Sequence, residues 1–212
     1  MDTLLLTRLL AVAALVFAVA AFARKFNWML SHSFTAIDRA AAKGEAWRGL
    51  LYAFTLGMMP WAKESTRRHF IAYLRGIAFH LGIFAGLLAF FVSPWWSLAP
   101  APLLWLFGVV TALGAVFGFA GDILRRVERN LTQISTPDDH ASVLLVSLFL
   151  TAVAAALFNF AFMPVMYLVG ALMLFYMPLG KIRHCIYFFF SRRFFGLFVG
   201  RRDVIHHAEA VK

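Results

Sequence analysis

Apolar side chains come in long unbroken runs rather than in the alternation of a strand or the single stripe of a soluble helix. Five stretches, at about 4–23, 71–92, 102–124, 141–160 and 164–186, are almost free of charge. Each is close to the roughly 20 helical residues that cross a hydrocarbon core about 30 Å thick. The pattern predicts an all-α integral membrane protein, a bundle of five transmembrane helices. The longest polar connection, 24–68, places Trp47, Leu50, Leu51, Phe54 and Met58 at near-helical spacing, which predicts an amphipathic helix on the membrane surface. After the fifth run, the basic aromatic tail 187–212 opens as YFFFSRRFFGLFVGRR and reads as interfacial. The first run has no basic residue before it and is followed by Arg24-Lys25. It therefore reads as a retained helix, although Ala21-Phe22-Ala23 resembles a leader cleavage site.

Composition agrees: 62% of the 212 residues are hydrophobic and 14% charged, against about 25% charged in soluble domains. A net charge of +10 would suit nucleic acid, but these cations sit in short loops between apolar runs rather than on a solvated face. The segments after the first, third and fifth runs, with the end of the fifth, hold 18 of the 20 lysines and arginines. The turns SPWWSLAPAP and FNFAFMP hold none. Because positive residues stay on the cytoplasmic side, this asymmetry predicts the N-terminus outside and the C-terminus inside, in a single multi-pass domain of the inner membrane.

The lone Cys185 excludes a disulfide framework, a four-cysteine zinc site and an iron–sulfur cluster, and no CxxCH is present for covalent haem attachment. Any metal cofactor must rest on histidine, methionine or carboxylate. Ionisable groups within apolar runs mark functional sites by default, and here these are Arg75, His80, Asp122 and His184. His80 in the second run and His184 near the end of the fifth sit on helices of opposite direction, an arrangement that can clamp b-type haem. Gly76 and Gly82 would give the macrocycle room, and Arg75, Lys181 and Arg183 would meet its propionates. The same spacing equally suits histidines bonded between helices and cations that snorkel. Asp122 stands beside Arg125 and Arg126, which predicts a local ion pair. His32, His140, His206 and His207 read as solvated surface residues. Tyr73, Tyr176 and Tyr187 read as packing aromatics, Trp95 and Trp96 as an interfacial belt.

The segment MYLVGALMLFYMPLGKIRH, an apolar run followed by Pro178, Lys181 and His184, resembles the last helix of the respiratory nitrate reductase gamma subunit family. That family includes membrane subunits of sulfite-reductase-linked and heterodisulfide-reductase-like complexes. Phe79-His80-Leu81-Gly82-Ile83 resembles the same family, and PWAKESTRRHFIAYLRG is similar to its sulfite-linked branch. The resemblance implies a cytochrome b that exchanges electrons between membrane quinone and a cytoplasmic iron–sulfur subunit. It implies His80 and His184 as axial ligands of the haem nearer the cytoplasm. The family's outer-haem ligand positions fall on Phe90 and Met166, and since phenylalanine cannot ligate iron, one haem b is expected.

A two-haem arrangement competes, with His69 and His184 holding one iron, and His80 with Met166 or Met173 the other. Depth along the helices does not separate the two. With the haem near the inner side, the quinone is expected near Arg75; unchanged quinol kinetics in Arg75→Ala would argue against that. The competing functional class is a non-redox anchor subunit of a larger complex.

Overall fold

The computed structural model describes residues 2–32, 40–62 and 64–204, with the backbone alone for Ser65. Among them there is no strand. Nine α-helices run in order: α1 Thr3–Leu30, α2 Ala46–Phe54, α3 Glu64–Arg68, α4 Phe70–Val92, α5 Ala101–Val127, α6 Arg129–Ile134, α7 Pro137–Phe158, α8 Met163–Tyr176 and α9 His184–Arg201. The helices α1, α4, α5 and α7 are long and apolar enough to cross a membrane, and a fifth span results only if α8 and α9 are counted together across their break. The chain divides into two compact units, the first Met1–Ala21 with Leu74–Ile182, the second Phe22–Tyr73 with Arg183–Lys212.

In the first unit α7 is the central helix, buried on more than one side through Val146, Phe149, Leu150, Val153, Ala156 and Leu157. Its start is fixed locally. Thr136 is the N-cap, Pro137 takes the first helical position, and the Asp139 carboxylate accepts from the Thr136 N–H at 2.8 Å and its hydroxyl at 2.9 Å. Lipid is as apolar as leucine, so it cannot press two greasy helices together. Association relies instead on small residues that bring backbones close. On α5, Gly108, Thr111, Ala115, Gly118 and Asp122 form one buried stripe, with Gly108 against the Phe158 ring and Gly118 against Ser147 of α7. Gly114 meets Gly82 of α4, where a Cβ on Gly82 would fall 2.5 Å from the Gly114 Cα. Thr7, Ala11, Ala14 and Ala18 give α1 its own small, buried stripe.

These contacts make α4, α5, α7 and α8 alternate in direction. Gly82 meets Gly114 while Phe79 lies by Gly118, and Gly118 meets Ser147 while Gly108 lies by Phe158. Tyr176, the last residue of α8, donates to Asp138 in the first turn of α7. One end of the unit is therefore polar, with Arg75, Asp122, Asp138 and Lys181. The other is aromatic, where Tyr167 and Ser93 share a 2.6 Å hydroxyl bond and the Trp96 indole donates to the Ala89 carbonyl.

The continuous helix expected over 164–186 is interrupted. The α-helix ends at Tyr176, a turn follows through Pro178 and Gly180, and Lys181–Arg183 forms a short 3₁₀ turn before α9. Met177 still has helical backbone angles, but Pro178 has no N–H to give the Leu174 carbonyl, so the helical ladder stops there. In the second unit α2 and α9 pack antiparallel through a seam of glycines, described below.

Candidate functional site

His80 sits on α4 and is exposed, away from the α5 contact. The α5-facing stripe of α4 is Arg75, Phe79, Gly82 and Gly86, at i, i+4, i+7 and i+11. At about 100° per residue, His80 lies roughly 140° around from Arg75. Its own face continues through Ile77, Leu81, Phe84 and Leu88, all exposed. One turn below, the space where a Gly76 side chain would project is open, with no atom of the described residues within 4 Å. The His80 Nδ1 lies 2.7 Å from the Gly76 carbonyl oxygen. A carbonyl only accepts, so Nδ1 donates, and in the neutral ring Nε2 is the nitrogen left with a lone pair. That tautomer is the one a metal-ligating imidazole uses, fixed by a backbone acceptor.

Gly82, expected beside the macrocycle, faces the opposite way. It is buried against Gly114, and its small size serves helix packing. The Lys181 ammonium, expected at a propionate, is 2.5 Å from Asp139 and 3.0 Å from the Thr136 hydroxyl, and so ties α8's end to the cap of α7. Arg75 is half-buried, with Nε 4.0 Å from where a side chain at Gly121 would begin. It stands at the polar end of the α4–α5 contact.

His184 belongs to the second unit, where it is the first residue of α9 and exposed. Because α8 ends at Tyr176, His184 shares no continuous helix with Met166 and Met173. Arg183 lies over the Tyr187 ring at 5.9 Å. His69 is exposed in the turn between α3 and α4, and its carbonyl accepts the Tyr73 N–H at 3.1 Å. His206 and His207 fall outside the described residues.

The positions of the outer-haem ligands are packed solid. Phe90 fills the space over Gly170 and meets Phe149 and Tyr167 edge-on, with centroids 5.5 and 5.6 Å apart. Met166 is fully buried and Met173 nearly so, within the main apolar core.

One constellation escaped the sequence reading. His140, expected on a solvated loop, lies in the first turn of α7, its Nδ1 2.6 Å from Asp122 on α5. The other Asp122 oxygen pairs with the Arg126 guanidinium at 3.0 Å, the local ion pair that spacing predicts. The cap signal in STPDDH fixes the start of α7 and so puts His140 one turn inside it; the partner on α5 is visible only in three dimensions. Among the described residues, no three histidine, cysteine or acidic side chains converge as a bare metal ion requires. A porphyrin iron needs only two axial donors, so the chemistry of imidazole alone is compatible with haem. No protein-family model, curated protein or solved structure matches the chain.

Proposed function

We propose that the chain is a haem b subunit of a multi-subunit redox complex of the inner membrane, passing electrons between quinone and a cytoplasmic iron–sulfur partner. The observation that carries the reading is His80. An imidazole on an apolar face in mid-span is costly without an occupant. This one also has its tautomer locked by Gly76 and an open glycine one turn away. His80 would be one axial donor, with Gly76 giving the flat ring room, and His184 is the second donor that the sequence resemblance implies. When bound, haem supplies one-electron chemistry at a potential set by its ligands and burial. The chain's own part is to hold two neutral imidazoles, to keep the ring in an apolar setting and to keep water from its α4 side. The packed Phe90–Met166 region supports one haem rather than two. Arg75, the cation at the polar end of unit one, is the residue proposed for a quinone headgroup.

The proposed topology has five crossings. After α1, the helices α4, α5 and α7 carry the chain across three times to the side where α1 began, and α8 runs back along α7 as far as Asp138. The pairing of α2 with α9 also needs both ends of that stretch on one side. The basic second unit then lies inside.

Purified protein is expected to show a b-type α band in its reduced-minus-oxidised spectrum. His80→Ala and His184→Ala should each abolish it, and His69→Ala should leave it intact. A colourless, folded preparation would refute the cytochrome and leave the anchor subunit.

A further inference from the structure

The second unit carries almost all of the protein's charge. Of the 20 lysines and arginines, 14 lie in it with five of the ten acidic residues, leaving +9 there and +1 in the first unit. Its two main helices spend their small faces on each other. A Cβ on Gly49 would fall 2.0 Å from the Gly196 carbonyl oxygen, and one on Gly200 2.6 Å from that of Glu45. The Arg192 guanidinium donates to the Ala53 carbonyl, and the Lys43 N–H to that of Arg201 at 2.8 Å. With the glycine faces joined, the aromatic faces are left outward: Trp47, Leu51 and Phe54 on α2, and Phe194, Phe195 and Phe198 on α9. Arginines are interleaved with them. Arg48 lies over Trp47 at 5.6 Å, Arg192 over Phe195 at 5.5 Å and Arg202 over Phe198 at 5.6 Å.

We propose that these faces of α2 and α9 seat anionic lipid, the aromatic rings entering the acyl boundary and the guanidinium groups of Arg202 and of the exposed Arg193, next to Phe194, meeting headgroup phosphates. Net charge decides between lipid and a protein partner: the +9 of the second unit suits an anionic bilayer surface, which attracts lysines and arginines clustered beside membrane spans. A helix with Phe and Trp among Arg is also the kind that lies in the headgroup region of a bilayer. The inference rests on the membrane reading and is independent of haem.

The test uses the full chain. Native mass spectrometry of detergent-purified protein titrated with phosphatidylglycerol or phosphatidylcholine should show tighter retention of the anionic lipid. R193Q and R202Q should each weaken it roughly five-fold, the effect of one arginine near a charged surface. Equal retention of the two lipids, or indifference to both substitutions, overturns the proposal. Spin labels at Leu51 and Phe198, in a Cys185→Ser background and in nanodiscs containing phosphatidylglycerol, should be more accessible to oxygen than to a nickel chelate. The opposite order would mean a water-facing surface fit for a soluble protein partner, and also overturns it.

Discussion

Replacing Gly82 with alanine adds one methyl group to α4 where the helix has no room for it. The new Cβ would sit 2.5 Å from the Gly114 Cα and 3.3 Å from its nitrogen. Both are backbone atoms of α5, so no rotamer change relieves the overlap and the two helices must part. Forcing an extra methyl into a packed contact costs about 1–3 kcal/mol. Gly121→Ala, inside α5 and outside the proposed haem site, is the internal control, since the nearest atom to its Cβ is the Arg75 Nε at 4.0 Å. Both substitutions gain the same helix propensity, about 0.5–1 kcal/mol. That term cancels between them, and the difference measures the overlap alone. For a chain of this size, 1–3 kcal/mol separates the two melting midpoints by roughly 2–12 °C. Tryptophan-fluorescence melting in one detergent, with helicity checked by circular dichroism, reads the gap. Equal midpoints, or Gly121→Ala melting lower than Gly82→Ala, would refute the close α4–α5 contact.

Gly76→Leu should keep the fold and lower haem content, because the leucine fills the space beside His80; a pyridine haemochrome assay per mole of protein checks this. Phe90→Ala opens a cavity against Gly170 and should destabilise the first unit by about 3–5 kcal/mol, read by thermal melting, with haem stoichiometry unchanged in the protein that remains folded. His140→Phe removes one partner of the buried Asp122 carboxylate and should cost about 1.5–3 kcal/mol, while Arg129→Gln on the neighbouring exposed helix should leave the melting midpoint in place. Gly196→Val collides with the Gly49 carbonyl and should free α2, raising hydrogen exchange across 46–54 and leaving α7 protected.

Helix existence was legible because length and apolarity are local properties. The runs at 71–92, 102–124 and 141–160 agree with α4, α5 and α7 to within a few residues. Facing was not legible. Gly76 and Gly82 flank His80 alike in sequence, yet four residues back returns to nearly the same face while two residues forward turns about 200° away. The break after Tyr176 had its signal in Pro178 and Gly180, which the apolar run around them obscured. Lys181 looked like a free cation at a span end because its partners, Thr136 and Asp139, lie more than 40 residues away. For the same reason the GLFVG spacing of α9 gave no hint that Gly49 would be its counterpart.

The distance in sequence between α2 and α9 sets a schedule for synthesis. Phe54 leaves the ribosome 147 residues before Arg201, a delay of about 7–30 s at 5–20 residues per second. Throughout that interval the glycine seam of α2 has no counterpart to cover it. A newly made chain thus has an unpaired sticky segment waiting beside the translocon until its last helix emerges.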